Sequence, residues 1–81
     1  MRRTWSNRVM RIEFDRDAGA GYIYVAGEVG PGSAVENLVV ERGGKGDIVL
    51  DFDEHGRLLG IEIIGARELL GRDVLAGLEA I

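Results

Sequence analysis

The sequence predicts an α+β domain: an antiparallel β-sheet of about four or five strands in hairpin or meander order, with a C-terminal helix. Three observations predict it. Short apolar runs alternate with polar residues at period two, the spacing that puts every second side chain on one face of a strand. Glycine-rich links separate these runs; glycine makes up 13 of 81 residues and falls where turns are needed. From residue 66 the apolar spacing changes to three and four, which is helical.

Each element has its own signal. Residues 8–14, RVMRIEF, place Met10, Ile12 and Phe14 on one face and Val9, Arg11 and Glu13 on the other. DRDAGAG turns the chain, and YIYVA at 22–26 forms a second strand of aromatic and β-branched residues. GEVGPGS is a loop with the only proline. VENLVVE at 35–41 is a third strand with weaker alternation, and RGGKG is the next turn. DIVLDFD at 47–53 sets Ile48, Leu50 and Phe52 against Asp47, Asp51 and Asp53. EHGR leads into LLGIEII at 58–64.

The register of this last hairpin follows from the pattern. A four-residue loop, Glu54 to Arg57, pairs Phe52 with Leu59, Leu50 with Ile61 and Ile48 with Ile63, and puts Glu62 opposite Val49. A slip of one residue would set Leu50 against Gly60 and Ile48 against Glu62, which a sheet with one buried face resists. The tail, ARELLGRDVLAGLEAI, is expected to be helical at about 66–81, with Leu70, Val74, Leu78 and Ile81 in one stripe. Gly71 and Gly77 each weaken that helix by roughly 1 kcal/mol relative to alanine. Asp73 is placed to cap a second short helix.

Length allows one domain, expected at 9–81, behind a basic and flexible leader at 1–8. Arg2, Arg3, Arg8 and Arg11 stand among the first eleven residues with no acid; the remaining seventy carry 6 basic and 14 acidic residues. Met10 offers an alternative start that would dispense with the leader. An acidic body repels phosphates, so nucleic acid is not an expected partner. A chain this small buries only about 60% of its unfolded surface, and dimerisation is one way to add core.

With no cysteine, the chain has no disulfide, thiol nucleophile or zinc–thiolate site. One histidine cannot build a multi-histidine metal centre. The apolar runs are too short to span a membrane, and the N-terminus has no apolar signal core. A cytoplasmic protein without membrane contact is the expectation.

Two stretches, FDRDAGAGYIYV at 14–25 and IVLDFDEHGRLLGIEIIGARELL at 48–70, resemble the bacterial and archaeal family called domain of unknown function 2283. Asp51, Asp53, Gly56, Gly60, Ile61, Glu62 and Ile63 stand where its D-x-D-x-x-G-x-x-x-GIEI run has them. The first stretch departs: Gly19 stands in place of an Asp and Gly21 in place of a Leu. The resemblance implies a small β-rich fold and assigns no activity. By analogy only, it suggests an antitoxin-like partner of another small protein.

The residues that could carry chemistry are few. From Asp51 to Glu62 the chain nearly fits the calcium-loop pattern, with His55 at the one mismatched position. Calcium needs six to eight oxygen ligands, and strands flank this loop where that motif has helices. Asp51 and Asp53 share a strand face about 7 Å apart, farther than a retaining glycosidase pair and without a deep cleft. A solvated face that discourages sheet stacking accounts for them. Glu62 sits among isoleucines, as the polar side of its strand or as a carboxylate awaiting a partner. His55 falls at a hairpin tip. Ser6 and Ser33 lie in expected loops, so no Ser–His–acid set is indicated. GGKG at 43–46 fails the phosphate-loop pattern. Trp5, Tyr22 and Tyr24 are too few for a base-stacking platform, and the tyrosines are read as core or interface.

The expected function is therefore a non-enzymatic, self-associating interaction domain, a homodimer with no catalytic residues and no cofactor. Leu70, Val74, Leu78 and Ile81 are its candidate interface, and another small protein is a conceivable partner. The alternative is a small-ligand or metal-binding module using Asp51, Asp53 and Glu62 of the acidic hairpin at 47–62. No resident metal is expected.

Overall fold

Six strands and two helices follow one another along the chain: β1 Arg2–Ser6, β2 Arg11–Asp15, β3 Ala20–Tyr24, β4 Glu36–Arg42, β5 Gly46–Phe52, β6 Leu58–Ile64, α1 Ala66–Leu69 and α2 Arg72–Glu79. They are seen in a computed structural model that describes residues 2–6, 10–25 and 30–80. All six strands form one antiparallel sheet in the order β1-β2-β3-β6-β5-β4. Two three-strand meanders, β1–β3 and β4–β6, are thus joined where β3 pairs with β6.

The α+β class with its antiparallel sheet and helical C-terminus is as expected, but the sheet has six strands rather than four or five. The sixth is β1, from the segment read as a leader, with Arg3 opposite Phe14 and Thr4 opposite Glu13. Its sequence, RRTWS, lacks the alternation of apolar residues that marks a strand. An edge strand needs only one hydrogen-bonded neighbour, and its arginines can reach outward.

The last hairpin keeps the expected pairs Leu50–Ile61, Ile48–Ile63 and Val49–Glu62. Near the turn it departs: Phe52 pairs with Leu58 rather than Leu59, with an irregularity between Asp51 and Phe52. Leu59 becomes the extra residue of a bulge. Its side chain is 8% exposed, and its carbonyl accepts the Val25 N–H at 2.9 Å. The second strand is also shifted, to Ala20–Tyr24 from the expected 22–26.

Cross-strand partners share a face, so the pairings sort the side chains into two sets. One face carries Ile12, Phe14, Ile23, Ile61, Ile63, Ile48, Leu50, Leu38 and Val40. The other carries Arg11, Glu13, Tyr22, Tyr24, Glu62, Asp51, Asn37 and Val39.

The helices cover part of the apolar face. The helical tail expected over 66–81 is two helices, the second opening near Asp73, because Leu70 and Gly71 both adopt extended backbone. Gly71 takes the N-cap position of α2 and Asp73 is the second helical residue, where its charge complements the helix dipole without capping it. The N–H groups of Gly65 and Ala66 donate to the Gly19 carbonyl at 3.2 and 2.7 Å, fixing the helical unit to the β2–β3 turn. Arg16 reaches Glu79 at 3.1 Å from the same turn. The covered end of the sheet is the core, where Phe14 is 1% exposed and Ala66 fully buried. The described residues include no helix long and apolar enough to cross a membrane.

Candidate functional site

The two aspartates singled out from the sequence do different things. Asp53 organises the β5–β6 turn. Its carboxylate accepts the backbone N–H groups of His55 and Arg57, both at 2.9 Å, and the Arg57 Nε at 3.2 Å. The Asp53 N–H donates to the Arg57 carbonyl at 2.9 Å, and Gly56, at φ 77°, donates its N–H back to the Asp53 carbonyl. The αL conformation at Gly56 is why this motif position suits glycine. The N–H donors, Arg57 first, hold the Asp53 carboxyl below its ordinary value of 3.8.

Asp51 points across the polar face. Its carboxylate accepts the Tyr22 hydroxyl at 2.7 Å and the Asn37 amide from β4. Tyr22 stands on β3, so its side chain must cross all of β6 to reach β5. It crosses over Gly60, where a Cβ would overlap the phenol ring and hydroxyl. The glycine is needed for that close approach rather than for a positive φ. Burial, and then the bond to Asp51, raise the Tyr22 pKa above its ordinary value of 10.

The network continues sideways. Tyr22 and Tyr24 meet edge to face with ring centroids 4.5 Å apart. The Arg11 guanidinium lies 4.0 Å over the Tyr24 ring and within 3.5 Å of Glu13. Glu62 lies between Tyr22 and Val49 on this face, half-buried. The tyrosines, read from the sequence as core or interface, are on the face opposite Phe14 and are half-buried there.

Asp51, Asp53 and Glu62 therefore do not converge. Each of the two aspartates is already committed to protein donors on different elements. The described residues hold no cluster of three His, Asp or Glu side chains fit to bind a metal ion. His55 is at the exposed hairpin tip, 3.4 Å from Glu54. An open hollow of about 400 Å³ beside it is lined by Ser33, Asp53, Glu54, His55 and Arg57. Asp53 is paired with Arg57 there, and Glu54 lies beside His55.

The tail stripe is split by its position. Leu70, Val74 and Leu78 line an apolar groove of about 180 Å³ against Ile12, Phe14 and Ile63 of the sheet. Gly21, on the floor of that groove, contributes no side chain to fill it. Val74 is nevertheless 56% exposed. Ile81 lies outside the described residues.

The family model described as protein of unknown function DUF2283 matches residues 11–67. The chain belongs to this family. The matched span runs from β2 into α1, so it takes in the Tyr22–Asp51 bridge, the Asp53 turn and the Gly60 crossing, while β1 and α2 lie beyond it. The motif residues that carried the resemblance thus have structural work in this chain: Asp53 and Gly56 shape the turn, and Asp51 and Gly60 lock Tyr22 across the sheet. No curated protein and no solved structure matches the chain.

Proposed function

We propose that this DUF2283 chain is a non-enzymatic interaction domain that associates with a second copy of itself. The observation that carries this reading is the surplus of uncovered apolar surface. Among the described residues only Phe14, Leu59 and Ala66 are buried apolar side chains, whereas Val35, Leu38, Val39, Val40, Ile64 and Val74 are 39–62% exposed. Four of those six lie on or beside β4. Leu38 and Val40 open on the apolar face and Val39 on the polar one, so the surplus follows the strand itself, and a small chain gains stability by covering exposed apolar surface. The commitment of Asp51 and Asp53 to internal bonds supports the non-enzymatic part.

Light scattering or sedimentation equilibrium tests this at neutral pH. A mass of twice the 8.8 kDa chain, rising with concentration, is expected. A mass of one chain at every concentration at which the protein stays in solution would remove self-association and leave a different small protein as the partner to seek.

A further inference from the structure

Strand β4 is an edge that no other strand among the described residues covers. All seven of its residues are exposed, and Leu38 and Val39 are half open to solvent at 50% and 51%. It pairs with β5 alone, in unbroken register from Glu36–Phe52 to Arg42–Gly46. Its outer row of backbone N–H and C=O groups therefore faces no strand among the described residues. Edges of this length normally carry a bulge, a proline or a central lysine that prevents pairing with another chain. Here the centre is Leu38-Val39-Val40, and the charges stand at the ends.

The sequence of the strand, ENLVVER, is complementary to itself. Two copies related by a two-fold axis perpendicular to the sheet run antiparallel and keep corresponding faces on the same side. Paired residues must then share a face, so only registers in which the two residue numbers sum to an even value are allowed. With the axis at Val39, Val39 meets Val39, Leu38 meets Val40, Asn37 meets Glu41, and Glu36 meets Arg42 at both ends. Moving the axis to Val40 sets Leu38 against Arg42 and Val39 against Glu41. Moving it to Leu38 sets Glu36 against Val40. Each alternative opposes a charge to an apolar side chain, and cross-strand partners are the unit of sheet stability.

We propose that β4 pairs with β4 of a second copy about an axis at Val39, joining two six-stranded sheets into one of twelve strands. This rests on the self-association reading above and names the surface it uses. The polar faces become continuous across the junction, with Asn37 and Glu41 of the two copies side by side. Seven paired residues make a small interface, of the size class of weak and transient complexes, so the dimer is expected to depend on concentration.

The experiment uses the full chain, with folding checked by circular dichroism. Val39→Cys introduces the only cysteine in the chain. Two copies of it on the axis would have Cα atoms about 4.5–5.5 Å apart, within disulfide range. Oxidation is expected to give a covalent dimer. Val74→Cys, at the rim of the groove under α2 where the side chain is 56% exposed, is expected to stay monomeric under the same treatment. Glu36→Arg and Arg42→Glu each place like charges opposite one another at both ends and are expected to weaken the dimer roughly tenfold. The double variant is expected to restore it.

A wild-type dimer in which Val39→Cys does not cross-link and the single charge variants keep full affinity would overturn the β4 interface while leaving self-association intact. That result would point instead to stacking of the apolar faces, which holds Val39 away from the contact. A wild-type monomer would overturn both.

Discussion

Phe14 and Leu38 lie on the same face of the same sheet, yet one is 1% exposed and the other 50%. Both belong to alternating stretches, and both have apolar cross-strand neighbours nearby. The difference is what lies above them. The helical unit, tied to the β2–β3 turn through Gly19, covers the sheet around Phe14 and stops short of β4. Alternation decides which face a side chain takes; burial is decided by the next layer, and here that layer is half a layer.

The largest effect separates these two ends. Phe14→Ala removes a fully buried ring and leaves a cavity beside the existing groove, at a cost of about 3–5 kcal/mol. For a domain this small that is a large part of the total stability, and thermal melts are expected to show loss of the cooperative transition at physiological temperature. Leu38→Ala, measured dilute so that the chain is monomeric, is expected to change stability by no more than about 0.5 kcal/mol. Comparable losses from the two variants would mean that the apolar end beyond the helices is covered after all.

An intermediate effect sharpens the comparison between the two faces. Gly60→Ala puts a methyl group where the Tyr22 phenol crosses β6. The ring must move and the Asp51 bond must lengthen or break, at a cost of about 1–3 kcal/mol. In a Tyr22→Ala background the same substitution is expected to be close to neutral, because the obstacle is gone. A double-mutant cycle with no coupling would show that the glycine serves some need of β6 other than this crossing.

Much of this fold was legible along the chain. The span of β6 was read correctly as 58–64, because alternation, turn and partner pattern agree there. The register of the last hairpin was read correctly away from the turn, where one buried face penalises a slip. What escaped has physical reasons. β1 has a polar composition that suits an edge and hides a strand. The place of the break also escaped: Leu70, counted in the helical stripe, is extended together with Gly71, and the apolar spacing passes over both.

The site was the least legible part. Their spacing puts Asp51 and Asp53 together on one solvated strand face, whereas one bonds across three strands and the other within its own turn. The available clue was Gly60: a glycine inside an otherwise isoleucine-rich strand marks a place where another group comes close.

The smallest effect distinguishes the two turns of β5. The turn from β4 is held by a backbone bond, Lys45 N–H to Arg42 carbonyl at 2.8 Å. The turn to β6 is built around an ionised Asp53. A carboxyl held below its ordinary value of 3.8 stabilises the folded state above that pH and loses the contribution as pH falls through its folded value. Asparagine keeps the shape and one acceptor but has no charge to offer Arg57. The melting temperature of Asp53→Asn is therefore expected to fall below that of the wild type at neutral pH, with the gap closing below pH 3.8 as the wild-type carboxyl protonates. A gap that does not narrow as the pH is lowered below 3.8 would assign the turn's stability to side-chain shape and remove charge as its cause.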